Sequence, residues 1–299
     1  MSGADNAAMQ SLYDLPAPAK LNLFLHITGR RDDGYHLLQS AFMLIDWCDT
    51  LHFEVRNDGL ISREDLSWTL PPDDLTVRAA RALQAATGCT QGAHIGVLKS
   101  VPAQAGMGGG SSDAATTLLA LNRLWGLQLP LQKLMEIGLK LGADVPFFLS
   151  GSHGWVEGIG EQISPLELPL AKFVVVKPAA GLDTKLIFSD LELKRDSLPA
   201  IITGFAADAL SFGQNDLQAV AQKLCPGVNQ ALVWLASQGL NGRMTGSGSA
   251  VFAHLLHEID LDSAPGAMQV RLCSSLDVHP LKGWADSDGK TGLSVASVR

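Results

Sequence analysis

Cysteine is scarce in this sequence, and its placement excludes two kinds of stabilised domain. The 299 residues contain only four cysteines, which are far apart and form no C-x-x-C pair: Cys48, Cys89, Cys225 and Cys273. Neither a zinc site nor a disulfide framework is therefore indicated. This use of cysteine predicts a reducing cytoplasmic location.

Positively charged residues are fewer than negatively charged ones, and long apolar runs are absent. Lys and Arg number 22 against 30 Asp and Glu, which gives a formal net charge of −8. This balance argues against a broad basic face for nucleic acid and against polybasic attachment to a membrane. No apolar run is long enough to span a bilayer, and residues 1–18, with Asp5 and Asp14, contain no apolar block typical of a signal peptide.

Apolar side chains are abundant by comparison. Hydrophobic residues make up 46% of the chain and charged residues 17%, which is typical of a globular protein. A length of 299 residues predicts two domains, each large enough to bury its own core. We place the boundary near Ser164–Pro165: residues 1–164 form the first domain, residues 165–284 the second, and residues 285–299 a mobile tail.

Four glycines lie within five positions, at 106 and 108–110. Glycine has no Cβ, so the N–H groups of this segment can turn inward and a bulky ligand can approach them closely. A helix follows, with apolar residues at helical spacing and Ser111 or Ser112 as the expected N-cap: Ala114, Leu118, Leu121 and Trp125. Because a helix N-terminus carries unpaired N–H donors and partial positive charge, the segment is a candidate phosphate site.

On its residues alone this segment has two interpretations, a phosphate cradle or an ordinary mobile turn. An apolar, strand-like run at 94–98 precedes it, and the order of strand, glycine-rich loop and helix is the context that phosphate cradles need. It is not the common P-loop, because no G-x-x-x-x-G-K-S/T occurs in the chain and no lysine follows the glycines.

Two charged residues, Lys20 and Asp144, also have both a structural and a functional interpretation. Residues 20–27 alternate as a strand with Lys20 and Asn22 on one side, about 7 Å apart, and for a lone lysine a solvated strand face is the simpler explanation. Asp144 follows a predicted helix that ends at Gly142. On spacing alone, a role as a turn or cap residue is sufficient to explain this aspartate.

Together these segments resemble the GHMP superfamily of small-molecule kinases. Residues 102–115 resemble its phosphate loop, residues 19–22 its A-K-L-N strand, and residues 142–148 its catalytic G-A-D-V-P-F-F segment. A second glycine loop at 243–252 resembles another superfamily motif and is expected to support the first loop. The R-x-D-G-Y-H pattern at 31–36 resembles the cytidine-binding segment of the branch whose substrates carry a diphosphocytidyl group.

The resemblance implies a role for individual residues. ATP is the implied phosphoryl donor, with Mg²⁺, and its phosphates would be held by Pro102, Ala103, Gln104, Ala105, Gly106, Met107, Gly108, Gly109, Gly110, Ser111 and Ser112. Asp144 would be the catalytic base that faces the acceptor hydroxyl, with Lys20 beside it. Tyr35 would stack on cytosine and His36 would bind its polar edge. The other implied substrate-binding residues are Asn22, Thr184 and Phe188.

The implied fold is α+β in two domains, an N-terminal domain like ribosomal protein S5 and a C-terminal ferredoxin-like α/β sandwich, with the active site between them. The implied reaction is ATP-dependent phosphorylation of the 2-hydroxyl of 4-diphosphocytidyl-2-C-methyl-D-erythritol, a step of non-mevalonate isoprenoid precursor synthesis. A superfamily kinase for homoserine, mevalonate or a sugar is one alternative, and a non-catalytic nucleotide-binding regulator is another. The expected partner is a small molecule, not nucleic acid or a membrane.

Two positions depart from the superfamily pattern. Gln104 stands where glycine or alanine is common, so its side chain either touches a ligand or points away. Asp74 stands where an asparagine usually lies near the nucleotide. We therefore assign Asp74 only the role of an acidic residue at a helix N-terminus.

Overall fold

The computed structural model describes residues 9–285, which form two sheets with helices packed against each. The first sheet has six strands, β1 to β6: Ser11–Arg30, His36–Arg56, Ile61–Asp65, Gly92–Leu98, Gly154–Glu157 and Gln162–Pro165. Four helices accompany it, α1 to α4: Leu75–Thr87, Gly109–Leu124, Leu131–Leu141 and Val145–Ser150. All pairings in this sheet are antiparallel except that of β3 with β4.

The second sheet has four antiparallel strands. These strands, β7 to β10, are Lys172–Pro178, Arg243–Met244, Val251–His254 and Met268–Ser274. Their order in the sheet is β10-β7-β9-β8. Helices α5 to α8 are Thr184–Ser189, Ile202–Ala207, Gln218–Leu224 and Pro226–Ser237, and a short 3₁₀ helix spans Leu261–Ser263. The predicted domain boundary at 164–165 falls at the end of β6, and it stays a prediction.

Strand β1 is much longer than the predicted strand, and both of its faces are covered. Lys20 is 3% exposed and Asn22 is 2% exposed, so the solvated strand face is contradicted. The reason is that the second half of the chain packs against this strand: Leu25 forms a bridge with Asn215, and the Ile27 amide donates to Asp216 Oδ2 at 2.7 Å. A buried polar side chain needs partners, which makes both residues site candidates on structural grounds.

Helix α2 begins earlier than predicted. Gly108, with φ of +73°, is the N-cap residue, and the helix starts at Gly109, so the expected Ser111 or Ser112 N-cap is wrong. Only glycine adopts this backbone conformation freely, and it lets the chain enter the helix directly from the loop. The predicted inward positions of the helix are all buried: Ala114, Leu118, Leu121 and Trp125.

The two sheets share an apolar cluster. Leu21, Phe24 and Trp47 of the first sheet belong to the same buried cluster as Phe173 and Phe252 of the second. Burial of this much apolar surface fixes the two domains against each other. The cleft that opens beside this cluster therefore has walls from both domains.

The end of the described chain returns to the first domain. The Leu276 amide donates to the Leu44 carbonyl, and Leu281 lies in the core that the first sheet forms with α1 to α4. Of the predicted tail, 285–299, only Ala285 is described, and the rest lies outside the described residues. Between residues 9 and 285 we find no helix with both the length and the apolarity needed to cross a membrane.

Candidate active site

A cleft of about 680 Å³ is lined by both domains. Strand β1, the glycine-rich segment at 102–111, called the glycine loop below, and Asp144 at the N-cap of α4 form one side. The other side is formed by residues 246–248 together with Leu182, Thr184 and Phe188. Fifteen of the predicted site residues line it: Lys20, Asn22, Pro102, Ala103, Gln104, Ala105, Gly106, Met107, Gly108, Gly109, Gly110, Ser111, Asp144, Thr184 and Phe188. Ser112, Tyr35 and His36 are not part of this lining.

The glycine loop is anchored by two buried apolar side chains. Ala105 and Met107 are 2% and 1% exposed and pack in the cluster between the sheets. The four glycines of the loop line the cleft. A Cβ on Gly108 would lie 2.9 Å from Phe148 Cζ, so the close approach of this aromatic ring requires glycine there.

The second glycine loop holds the first by main-chain contacts. The Ser249 amide donates to the Gln104 carbonyl at 3.1 Å, and the Ala250 amide donates to the Ala105 carbonyl at 3.2 Å. A Cβ on Gly106 would lie 2.2 Å from the Thr245 carbonyl oxygen. These contacts agree with the supporting role expected of this loop.

The Gln104 side chain lines the cleft and contacts the second domain. A Cβ on Gly181 would meet Gln104 Oε1 at 2.1 Å, so the two residues are in close contact. The backbone φ of Gln104 is +51°, in the left-handed region that glycine adopts at lower cost.

The N-terminus of α2 faces the cleft. No side chain caps it, and its first helical hydrogen bond runs from the Ser112 amide to the Gly108 carbonyl at 2.9 Å. The amides of Gly109, Gly110 and Ser111 precede that bond, so they have no acceptor within the helix. The Ser112 hydroxyl is fully buried and has no hydrogen-bond partner within residues 9–285, which leaves Ser111 as the serine that lines the cleft.

Lys20 lies beside this helix end, where its main-chain amide donates to the Met107 carbonyl at 3.0 Å, and its side chain contacts Asp144. Its Nζ is 3.6 Å from Asp144 Oδ2, donates to Asn22 Oδ1, and lies 4.3 Å from the centre of the Phe42 ring. Asn22 Nδ2 donates in turn to Ser40 Oγ at 2.9 Å, so the asparagine is held from both ends of its amide. Burial lowers the pKa of Lys20, and the Asp144 carboxylate opposes that shift.

Asp144 occupies the N-cap position of α4 but does not cap it. Its side chain accepts no hydrogen bond from the helix, and it is 31% exposed. The turn or cap role considered from the sequence therefore does not account for its carboxylate. One oxygen faces Lys20, and the side chain lines the cleft.

The four polar and aromatic residues predicted at the cytidine end lie in α5 and at or just before the start of β2. The His36 ring packs on Phe188 with 5.1 Å between centres and a 36° tilt, and the Thr184 hydroxyl lies 2.7 Å from Ser247 Oγ. Tyr35 is 60% exposed. The His36 pKa is lowered by burial and by the charges of Arg195 and Arg30.

A buried triad of ionisable side chains beside the glycine loop was missed from the sequence. Lys99 Nζ donates to Asp49 Oδ2 and to Asp113 Oδ2, and both Lys99 and Asp113 line the cleft. Burial raises the pKa of Asp113 to about 8, although the Lys99 ammonium opposes this. A lysine and an aspartate flanking the glycines are visible in the sequence, but nothing there brings Asp49 to them.

Asp74 behaves as predicted. It is the N-cap of α1, where its side chain accepts from the Val77 amide at 3.3 Å. Arg63 also pairs with it, at 2.7 Å between Nη1 and Oδ1. Both contacts stabilise the helix start, so an acidic residue here has a structural explanation.

Comparison with known proteins decides the family. The model of the GHMP kinases N terminal domain matches residues 74–152, and the model of the GHMP kinases C terminal domain matches residues 197–269. A "4-diphosphocytidyl-2-C-methyl-D-erythritol kinase" from Albidiferax ferrireducens is 71% identical over 289 residues, which cover 97% of this chain and 100% of the relative. The chain belongs to the 4-diphosphocytidyl-2-C-methyl-D-erythritol kinase family.

Solved structures agree with this assignment. A crystal structure of a 4-(cytidine 5'-diphospho)-2C-methyl-D-erythritol kinase superposes with a TM-score of 0.77 and 31% identity, over 88% of this chain and 98% of that one. The Methanococcus jannaschii mevalonate kinase superposes with a TM-score of 0.65 at 15% identity, over 91% and 99%, and shows the shared fold alone. The predicted two-domain GHMP kinase fold and the resemblance to the diphosphocytidyl branch are confirmed.

Proposed function

We propose that this protein transfers the terminal phosphoryl group of ATP to the 2-hydroxyl of 4-diphosphocytidyl-2-C-methyl-D-erythritol, a step of non-mevalonate isoprenoid precursor synthesis. The observation that carries the proposal is 71% identity over 97% of the chain to a kinase named for that substrate. The contact between Lys20 and Asp144 in the cleft supports it, because the chain retains a carboxylate and a cation where the chemistry would occur.

In this proposal the glycine loop and the start of α2 hold the ATP phosphates. The chain as a whole carries a formal charge of −8 and so repels a polyanion. Attraction must therefore be local. The N–H groups of Gly109, Gly110 and Ser111 and the helix dipole supply it, since they direct partial positive charge into the cleft.

Asp144 would accept the proton of the 2-hydroxyl. Phosphoryl transfer passes through a loose transition state, in which positioning and charge stabilisation do most of the work and the proton leaves late. A carboxylate is a sufficient base under those conditions. The side chain is suited to this role because one oxygen contacts Lys20 while the group remains 31% exposed at the cleft.

Lys20 would offset the negative charge that develops on the transferred phosphoryl group. Its ammonium is almost completely removed from water, so its interaction with a charge in the cleft is screened less than that of a surface lysine. Asn22 and Phe42 restrict where the ammonium can lie. A fixed cation of this kind needs little reorganisation during the reaction.

Mg²⁺ is expected to arrive with ATP. Within residues 9–285 no group of three or more His, Cys, Asp or Glu side chains could hold a metal ion by itself. Magnesium in kinases keeps several waters and binds through substrate phosphates with few protein ligands, so this cleft fits it. The Ser111 hydroxyl is the oxygen that we assign to the metal or to a phosphate. Bound magnesium would neutralise charge on the phosphate oxygens.

The cytidyl group would lie toward His36, Phe188 and Tyr35. Phe188 and His36 already form a ring pair, and Phe188 lines the cleft. Tyr35 is exposed beside them and is free to cover a base. Aromatic rings and a neutral imidazole suit a pyrimidine, which has flat faces and a polar edge.

A coupled assay of ATP consumption with cytidyl, homoserine and mevalonate acceptors tests the proposal. We expect turnover with the cytidyl acceptor alone. Turnover with another acceptor would favour a sister kinase. Nucleotide binding without turnover of any acceptor would favour a non-catalytic regulator.

In the same assay Asp144→Ala should lower kcat by about 10² to 10⁴ and leave the KM for ATP nearly unchanged. Glu136→Gln, which removes an exposed carboxylate from α3, is the matched control. Near-normal turnover of Asp144→Ala would remove this residue from the base role.

A further inference from the structure

Arg195 joins the segment after α5 to the start of β2. Its guanidinium makes four hydrogen bonds. Nε donates to His36 Nε2 at 3.0 Å, and Nη1 donates to the Leu193 carbonyl at 3.0 Å. Nη2 donates to the carbonyls of Phe188 at 3.2 Å and Asp190 at 2.7 Å.

The bond to His36 fixes where the imidazole proton lies. A guanidinium stays protonated in proteins and can only donate, so His36 Nε2 must be an unprotonated acceptor. The ring is then neutral and carries its proton on Nδ1. Burial and the neighbouring arginines lower the pKa of His36, which agrees with a neutral ring.

The proton on Nδ1 is available to a ligand. Among residues 9–285 no hydrogen bond to His36 Nδ1 is formed, and the ring is only partly buried. Arg195 also holds the carbonyl of Phe188, whose ring packs on His36. One side chain therefore sets both the tautomer of the imidazole and the position of the ring beside it.

We propose that Arg195 is a positioning residue for the base of the substrate. Arg195 holds His36 as the Nδ1–H tautomer, so that His36 donates a hydrogen bond to O2 or N3 of cytosine. This inference rests on the proposed function, because it needs a substrate that carries cytosine. A histidine without Arg195 would exchange between both tautomers, and only one of them offers a donor from Nδ1.

The tautomer can be measured without any substrate. In long-range proton–nitrogen NMR spectra of the full-length enzyme labelled with ¹⁵N-histidine, we expect His36 to show protonated Nδ1 and unprotonated Nε2 near neutral pH. The chain has eight histidines, so a His36→Gln sample identifies the signal. Arg195→Ala should shift the signal toward the Nε2–H tautomer, and Arg195→Lys, which keeps a cation but loses the planar fork, should shift it less.

Steady-state kinetics test the consequence. Arg195→Ala should raise the KM for the cytidyl substrate about five- to tenfold, the loss of roughly one positioned hydrogen bond, with kcat and the KM for ATP little changed. Arg195→Lys should restore part of the loss. The exposed neighbour Lys194 has no bond to His36, so Lys194→Ala is the matched control and should leave all three constants unchanged.

Two results would overturn the inference while leaving the kinase activity intact. One is a wild-type His36 that is protonated at Nε2, and this spectrum decides the matter even if a variant fails to fold. The other is an Arg195→Ala enzyme with the wild-type KM for the cytidyl substrate. Failure of the proposed function is distinguishable, because the wild-type enzyme would then not turn over the cytidyl acceptor at all.

Discussion

The contact between the two glycine loops can be tested at Gly106. An alanine Cβ there would lie 2.2 Å from the Thr245 carbonyl oxygen and 2.8 Å from the Gly248 amide nitrogen. Both are backbone atoms, so neither can rotate away, and the loops must separate. The position also has φ of +73°, which any residue with a Cβ adopts at a cost of about 1 kcal/mol. Overpacking typically adds about 1–3 kcal/mol.

Gly126→Ala is the control for the backbone conformation alone. Gly126 has φ of +64°, and a Cβ there would meet no atom within 4 Å. Urea unfolding should therefore show Gly106→Ala to be less stable than Gly126→Ala by about 1–3 kcal/mol. The KM for ATP should rise only in Gly106→Ala, since the loop that would hold the phosphates is displaced. Equal losses of stability in the two variants would refute the reasoning, because the steric contact would then have no consequence.

Two further predictions concern single side chains. Burial raises the Asp113 pKa from 3.8 to about 8, so the folded protein keeps a proton that the unfolded chain releases above about pH 4, and wild-type stability falls as the pH rises toward 8. Asp113→Asn should remove this loss of stability, which urea unfolding near pH 5 and pH 8 measures. If Asp113→Asn loses as much stability between these pH values as the wild type, protonation of buried Asp113 is not the cause. Tyr35→Ala should raise the KM for the cytidyl acceptor without lowering Tm, because the side chain is 60% exposed. Tyr13→Ala, at 54% exposed, is the control, and an unchanged KM in Tyr35→Ala would favour a sister kinase.

The glycine loop was predictable because its chemistry is local. Four glycines followed by an apolar helix specify a turn and a helix start within one short segment, and the structure has both. The prediction of a serine N-cap was wrong for an equally local reason. Gly108 adopts the left-handed conformation and begins the helix before either serine is reached.

The environment of Lys20 and Asn22 was harder to predict. Alternation placed them on one side of a strand, but alternation does not say whether that side meets water. The main-chain amide of Asn22 donates to Thr245 Oγ1 at 2.9 Å, a contact between residues 223 positions apart in the chain. Without the family resemblance, the solvated face would have remained the simpler interpretation.

The sequence alone determined the family, the two-domain fold and the segments that carry the candidate chemistry, because these depend on residue types within short stretches. Tertiary structure alone decided which distant side chains meet: Asp49 with Lys99 and Asp113, and Arg195 with His36. Such contacts join segments whose spacing in the chain bears no relation to their distance in space. They exist only because tertiary packing brings those segments together, within the first domain for Lys99 and its two aspartates and between the domains for Arg195 and His36. No local pattern records that packing.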